Sequence, residues 1–394
     1  MTTLTPLTPA VRTVVRLCGV ALLLDTTFFS VLSPLLAGYA DSAHLSEAAV
    51  GLLVAAYPLG MVLAAFPAGS LVSRHGPRTV LTAGLVLIAT TCILFALAAT
   101  GPQLIGFRFL QGIGAVLVWA SAMSWVTAVA PIDRRGELAG RALGMAVLGA
   151  VLGPVVGALA TVVGTVPVFT VVAVAFLGLA TAAMRLPAPT PVESPGWRHA
   201  FGLLRDHRLR LGIWLLALGG VGAGVVNTLA PLTLADLDVT AVGTSVVFLA
   251  MAASAALSSP RVGRRADRHG RYIVAVVVLV TGAVAMLGIG VFSAAGGPLA
   301  LLVLLLVLGF VLIEASYVPG SALIADGTAD ADGSRGEVLA LANLAWASAM
   351  TAASLLAGVL LTHFGPVAAY GAVALCALAT VPEMAILARA SRRT

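Results

Sequence analysis

The chain has 394 residues, of which 60% are hydrophobic and 10% are charged, and its mean hydropathy is +1.07. This apolar content exceeds what the core of a soluble domain uses, so it excludes a soluble enzyme, a disordered chain and a secreted disulfide scaffold. The net charge of +6 does not indicate a nucleic-acid partner, because the basic residues stand in short gaps between long apolar stretches. The composition predicts an integral membrane protein embedded in the lipid bilayer.

The apolar stretches predict an all-α membrane protein with about twelve spanning helices, since one crossing needs roughly 20 apolar residues. In chain order the predicted spans are 14–38, 48–72, 79–99, 103–130, 138–161, 165–185, 209–233, 241–260, 272–292, 299–324, 338–362 and 366–388. The three cysteines all lie within apolar stretches at spacings that fit neither a disulfide framework nor a metal site. We therefore expect no bound metal.

The distribution of arginine predicts the orientation in the membrane. The chain has 22 arginines and no lysine, and every arginine except Arg108 lies in a gap, a terminus or the adjoining end of a span on the same side of the predicted membrane. By the positive-inside rule this side is cytoplasmic. We expect a multi-pass protein of the bacterial plasma membrane with both termini in the cytoplasm.

The spans divide into two sets of six, with predicted domains 1–186 and 209–394 joined by a cytoplasmic loop, 187–208. Short sequences recur across this division: SRHG at 73–76 matches DRHG at 267–270, and RGE at 135–137 matches RGE at 335–337. Two matches in the same order indicate a parallel internal duplication, although chance recurrence in basic loops is the alternative. In transporters, such a duplication places the binding site between the halves, near the membrane midplane.

Three ionisable residues stand well inside predicted spans, away from their ends: Asp25, Arg108 and Glu314. Each costs about 2.5 to 3.5 kcal/mol at bilayer depth, so each is a candidate functional residue. If a proton and a cationic substrate compete for Asp25 and Glu314, the competition couples the two flows. For Asp25, the alternative is a fixed ion pair with Arg108 that never titrates. No nucleotide-binding motif is present, so we expect the proton gradient to supply the energy, with no cofactor.

Aromatic and sulfur side chains near these positions suggest a cage for a lipophilic cation. Phe29 follows Asp25 by one helical turn, and Tyr317 follows Glu314 by three residues. The candidates are Phe29, Tyr57, Trp119, Met123, Tyr317 and Trp346. Ordinary helix packing is the alternative for each of them.

Over essentially the whole chain the sequence resembles the major facilitator superfamily of membrane transporters. GSLVSRHGPR after span 2 is similar to the family signature GxLxDRxGR/K. Its matching residues are Gly69, Leu71, Arg74, Gly76 and Arg78. In the family the acidic residue helps to latch the cytoplasmic side, but Ser73 takes that position here. The resemblance implies that the latch is weaker, or that Asp267 and Arg268 in the second copy provide it.

Two further motifs refine the resemblance. RFLQGIGA in span 4, with Arg108 and Gln111, is similar to the family's RxxQGxG. GAVLGPVVG in span 5 is similar to GxxxGPxxG, which in the family marks exporters that exchange substrate for protons. Its matching residues are Gly149, Gly153, Pro154 and Gly157. The glycines permit close approach of another helix and the proline bends the span, which fits a seal or, alternatively, ordinary packing.

Within the superfamily, LLLDTTFFSVLSP and IEASYVP resemble the acid-bearing segments of vesicular monoamine transporters and related drug:proton antiporters and multidrug exporters. The resemblance implies that Asp25 and Glu314 face the amine. Two other acidic positions of that group correspond here to Asn227 and Asn343, which would line the same cavity as neutral hydrogen-bonding groups.

These observations predict a major facilitator transporter, acting as a monomer, that exports a lipophilic, cationic small molecule in exchange for protons. The substrate would be a drug, an antibiotic or an amine. The alternative is a facilitator-type symporter or uniporter for a sugar or another small metabolite, which the same fold permits. No combination of residues in the sequence supports an enzyme.

Overall fold

The computed structural model describes residues 5–188, 201–202, 204–328 and 335–390. Across these ranges all regular secondary structure is helical. Most of the predicted cytoplasmic loop 187–208 lies outside the described residues, including 189–200.

The helices correspond one for one to the predicted spans, and we number them α1 to α12. They are α1 Pro9–Ser42 (Pro9–Ser30, then Leu32–Ser42), α2 Glu47–His75, α3 Pro77–Ala96, α4 Gly101–Val129, α5 Arg135–Val163, α6 Thr165–Met184, α7 His207–Asp236, α8 Ala241–His269, α9 Arg271–Ala295, α10 Leu299–Gly327 (Leu299–Glu314, then Tyr317–Gly327), and Arg335–Ala390, which contains α11 (335–364) and α12 (366–390).

The number of membrane crossings follows from the last of these segments. Within the described ranges, eleven helical segments are long and apolar enough to cross a membrane, and the last of them, Val338–Arg389, has 52 residues. A bilayer core of about 30 Å needs only about 20 residues, so this segment accounts for two crossings. Gly365, with a φ of 76°, interrupts it at the boundary of α11 and α12. The prediction of about twelve spanning helices is confirmed.

Two spans are interrupted near their middle, which the sequence analysis did not anticipate. The break in α1 is at Val31, and the break in α10 is at Ala315 and Ser316. In a helix, the carbonyl oxygen of each residue normally accepts a hydrogen bond from the N–H group four residues later. A proline at that later position has no N–H to donate, and its ring crowds the carbonyl group. Pro34 and Pro319 stand in that relation to Ser30 and Ala315. Glu314 was predicted to lie well inside a continuous span 10, but it is the last residue before a break.

The two loops predicted to be equivalent have the same local geometry. Gly76 between α2 and α3 has a φ of 79°, and Gly270 between α8 and α9 has a φ of 91°. One residue earlier, Nδ1 of His75 lies 3.3 Å from the carbonyl oxygen of Leu71, and Nδ1 of His269 lies 3.2 Å from that of Arg265. Left-handed φ values favour glycine, which explains why SRHG and DRHG both end in it.

By spatial contact, the chain forms two compact units. The first is Met1–Leu35 with Leu59–Ser194, and the second is Leu36–Pro58 with Pro195–Thr394. In the second unit the start of α2 packs against α11: Thr362 Oγ1 donates to Glu47 Oε2 at 2.8 Å. The main chain of Glu47 and Ala48 lies against Gly358, where a side chain would collide with it.

Candidate functional site

Asp25 is a buried carboxylate in the first unit, with 2% of its surface exposed. Trp119 of α4 donates from its indole Nε1 to Asp25 Oδ2 at 2.8 Å. An N–H group aimed at a carboxylate oxygen stabilises the ionised form, which would otherwise be costly at this depth. The structure thus brings together an acid and an aromatic residue that the sequence predicted separately.

Arg108 connects α4 to α1 in the same unit and is 3% exposed. Its Nη2 donates to the carbonyl oxygen of Phe29 at 2.7 Å, and its Cζ lies 5.6 Å from the centre of the Phe29 ring. Its Nη1 donates to Gln111 Oε1 at 3.1 Å, and Gln111 Nε2 donates to the Thr91 carbonyl of α3 at 3.3 Å. Arg108 and Gln111, which matched one motif, therefore form one buried network.

Adjacent phenylalanines of α1 have different surroundings. Phe28 is 3% exposed and packs edge-on against Phe169, with ring centres 5.3 Å apart. Phe29 is half-buried and contacts the Arg108 guanidinium. Of the two rings, Phe29 is the one that makes a cation–π contact within the protein, because the Arg108 guanidinium lies over it.

The glycines of GxxxGPxxG pack α5 directly against α1, the helix that carries Asp25. A methyl group at Gly149 would collide with Leu23 and Thr26. At Gly153 it would lie 2.8 Å from the carbonyl oxygen of Thr27, and at Gly157 it would meet the Pro34 ring. The same contact is closed by a hydrogen bond of 2.8 Å from Thr26 Oγ1 to the carbonyl oxygen of Ala146.

Glu314 lies in the second unit, at the break in α10. Its half-buried carboxylate faces the backbone of Gly219 in α7, where an added methyl group would lie 3.6 Å from Glu314 Oε1. Two residues later, Ser316 Oγ donates to the carbonyl oxygen of Leu215 at 2.9 Å and ties the break to α7. Because of the break, Glu314 lies at the end of a helical segment. The surface it faces is the backbone at Gly219, which has no side chain there.

The other candidates of the second unit have varied surroundings. Asn227 donates from Nδ2 to the carbonyl oxygen of Ala223 in its own helix at 2.8 Å. Asn343 is exposed, and Trp346 is half-buried in α11. Tyr317 is 40% exposed and Tyr57 is 4% exposed. Met123, in the first unit, is half-buried on α4.

The signature after α2 lies at the helix end with its polar groups outward. Arg74 is exposed, Gly69 adjoins open space, and Gly76 provides the turn into α3. Arg78 Nη1 donates to the carbonyl oxygen of Leu186 at 3.0 Å, which caps the end of α6. Ser73 Oγ donates to the carbonyl oxygen of Ser70 in its own helix at 3.0 Å. In the second copy Asp267 and Arg268 are both exposed.

Sequence reasoning missed the glycine surfaces of α7. A methyl group at Gly224 would lie 2.7 Å from the Met350 carbonyl of α11, and one at Gly212 would lie 2.8 Å from the Gly320 carbonyl of α10. Ser354 Oγ also donates to the carbonyl oxygen of Gly224 at 3.3 Å. The run GGVGAG at 219–224 could have predicted this close packing, because small residues at such spacing mark helix contacts in membranes.

Comparison with known proteins places the chain in a family. The profile of the Major Facilitator Superfamily matches residues 18–330 and 216–394. The chain belongs to the Major Facilitator Superfamily and is a multi-pass membrane transporter, not an enzyme. An uncharacterized MFS-type transporter of Yersinia pestis (strain Pestoides F) is 27% identical over 69% of this chain and 72% of its own length. A similar protein of Enterobacter sp. (strain 638) is 26% identical over the same shares.

Solved structures have the same fold. The D-xylose-proton symporter superposes with a TM-score of 0.79 at 18% identity, over 95% of this chain and 97% of that one. A bacterial homolog of the human lysosomal transporter Spinster, inward-facing and unoccupied, superposes with a TM-score of 0.72 at 15% identity, over 98% of this chain and 96% of that one. The predicted major facilitator fold, with two six-helix halves, is confirmed.

Proposed function

We propose that this transporter is a proton-coupled antiporter that exports a lipophilic, cationic small molecule, such as a drug, an antibiotic or an amine. It acts as a monomer in the bacterial plasma membrane, by alternating access, with both termini in the cytoplasm. The observation that carries the proposal is Asp25, a carboxylate with 2% exposure that accepts a hydrogen bond from the Trp119 indole.

The coupling follows from competition for a carboxylate. An ionised Asp25 or Glu314 attracts a cation, and a protonated one does not. When the site opens to the more acidic side, a proton displaces the cation, and when it opens to the other side, a new cation displaces the proton. Arg108 positions α4 against α1 through the Phe29 carbonyl, at 2.7 Å, and so fixes the surroundings of Asp25.

One feature supports export rather than import. GxxxGPxxG, the motif that resembles those of proton-exchanging exporters, packs against the helix that carries Asp25.

The exposed signatures after α2 and α8 provide arginines at helix ends, and Asp267 offers the acidic partner that Ser73 does not. The signature after α8, with Asp267 and Arg268, then provides the latch that holds the arginine-rich side closed.

A sugar or metabolite facilitator is the second candidate. It is supported by the similarity in fold to the D-xylose-proton symporter and by the neutral amides Asn227 and Asn343. Proteins with this fold transport many different substrates, so the similarity in fold alone favours neither antiport nor symport.

Uptake into inverted vesicles tests the proposal. With the vesicle interior acidified, we expect accumulation of the lipophilic cations tetraphenylphosphonium and ethidium, abolished when nigericin collapses the pH gradient. Asp25→Asn and Glu314→Gln should lose accumulation. The matched control is Glu383→Gln, an exposed acid 3.3 Å from His207. Failure of every cation tested to respond to the gradient, with gradient-independent exchange of D-xylose, would establish the facilitator instead.

A further inference from the structure

A cavity of about 500 Å³ opens between the first turns of α1 and α5, within the first unit. Its lining includes Arg12, Arg16 and Arg141 together with apolar side chains, and it contains no acidic residue. The cavity is separate from the surroundings of Asp25, which lies nine residues beyond Arg16 on α1.

The two helices that line the cavity run in the same direction. Near its start α1 meets α5 where Gly19 lies against Met145, and further along it meets α5 where Thr27 lies against Gly153. The arginines of both helices therefore lie at the same end of the cavity. Val20 and Leu148, which are four residues beyond Arg16 and seven beyond Arg141, line its deeper part. One helical residue advances about 1.5 Å, so this apolar part lies roughly 6 to 10 Å deeper.

The charge at the mouth of the cavity is only partly balanced. Arg141 pairs with Glu137 at 2.7 Å. Across the described part of the chain, no carboxylate lies within ion-pair distance of Arg12 or Arg16. Two uncompensated guanidinium groups beside an apolar slot provide a favourable site for an anion that carries a hydrocarbon chain.

The chain before α1 forms a further wall. Thr5 N donates to Asp133 Oδ2 at 2.8 Å, and Arg134 Nη1 donates to the carbonyl oxygen of Thr5 at 3.1 Å. These bonds fix the segment that carries Leu7 into the cavity lining. At Gly144, on the α5 side, an added methyl group would meet nothing within 4 Å, so the cavity has free volume there.

We propose that this cavity binds one anionic phospholipid of the leaflet on the arginine-rich side. Its phosphate contacts Arg12 and Arg16, and one acyl chain lies along Val20, Met145 and Leu148. Basic pockets between membrane helices are a recognised type of site for anionic headgroups. The lipid would brace the contact of α1 with α5.

Native mass spectrometry of delipidated protein tests the site, with phosphatidylglycerol and phosphatidylcholine of identical acyl chains as probes. We expect the wild type to retain one phosphatidylglycerol in preference to phosphatidylcholine, and Arg12→Gln/Arg16→Gln to lose roughly 30-fold in affinity for it. The control Arg264→Gln/Arg265→Gln removes the same charge from exposed positions of α8 and should keep the preference. Equal loss in both double variants would show diffuse charge attraction and overturn the proposal.

A second variant separates a lipid from a soluble anion. Gly144→Phe fills the cavity and leaves the three arginines in place, so it should lose phosphatidylglycerol while its thermal stability stays near that of the wild type. Undiminished lipid binding by Gly144→Phe would overturn the proposed acyl-chain position. Displacement of the lipid by inorganic phosphate at millimolar concentration would identify a site for a soluble anion and would overturn the lipid proposal.

Discussion

Trp119 and Asp25 are joined across α4 and α1 by a hydrogen bond of 2.8 Å between indole Nε1 and Oδ2. Trp119 is half-buried and Asp25 is 2% exposed. The indole compensates in part for the removal of the carboxylate from water, and its ring lies beside the group that we propose to bind the cation.

Trp119→Phe keeps an aromatic ring and removes the hydrogen bond. A hydrogen bond to a charged group contributes about 1.5 to 3 kcal/mol, and 1.36 kcal/mol corresponds to one pH unit. We expect the pH of half-maximal gradient-driven transport to rise by about one to two units, because the ionised carboxylate loses stabilisation. The control Trp125→Phe alters a fully buried indole of the same helix. Identical pH profiles for Trp119→Phe and the wild type would contradict this role.

Gly153→Ala tests the contact of α5 with α1. The added methyl group would lie 2.8 Å from the Thr27 carbonyl oxygen and would collide with Ser30. Overpacking of this kind costs about 1 to 3 kcal/mol, so the apparent Tm should fall. Gly140→Ala, in the same helix, meets nothing within 4 Å and should leave the apparent Tm unchanged or raise it. An equal apparent Tm for the two variants would show that α5 can move away from α1 without loss of stability.

Gly219→Ala tests the surroundings of Glu314 without disturbing the fold. The new methyl group would lie 3.6 Å from Glu314 Oε1, an ordinary contact distance. It would replace space next to the carboxylate with an apolar group and so disfavour the ionised form. We expect an unchanged apparent Tm and a shift of the transport pH profile to higher pH. Gly178→Ala, which adjoins open space, is the control. An unchanged profile would place Glu314 outside the coupling mechanism.

Asp267→Asn and Ser73→Ala test which copy of the signature carries the latch. The Ser73 hydroxyl bonds to Ser70 within its own helix, at 3.0 Å, so its removal should leave the transport rate near that of the wild type. Asp267 provides the acid at the equivalent position, so Asp267→Asn should lower the maximal rate severalfold with the apparent Tm preserved. Equal rates for the two variants would assign no latch to either copy.

Sequence reasoning predicted the fold well because the bilayer imposes a simple constraint on segment length and polarity. It missed the breaks at Val31 and Ala315 because long apolar runs dominated the segmentation. The local signal was present, since Pro34 and Pro319 each follow the affected carbonyl by four residues. Proline alone does not identify a break, however, because Pro154 and Pro231 lie inside helices that are continuous.

The candidate site was less accessible to sequence reasoning. Asp25, Arg108 and Glu314 stand out because charge is rare inside apolar spans. Their partners depend on which helices are neighbours, and a single sequence does not contain that information. The bond from Trp119 to Asp25, the placement of Gly153 against α1 and the placement of Gly219 against Glu314 therefore required coordinates.

Proton release on substrate binding tests the central claim most directly. Purified transporter in weakly buffered detergent solution would be titrated with tetraphenylphosphonium and ethidium while the pH is recorded. We predict that binding releases protons, that the release disappears in Asp25→Asn, and that it persists in Glu383→Gln. Cation binding to the wild type without proton release across the neutral pH range, or undiminished release from Asp25→Asn, would contradict competition at this carboxylate.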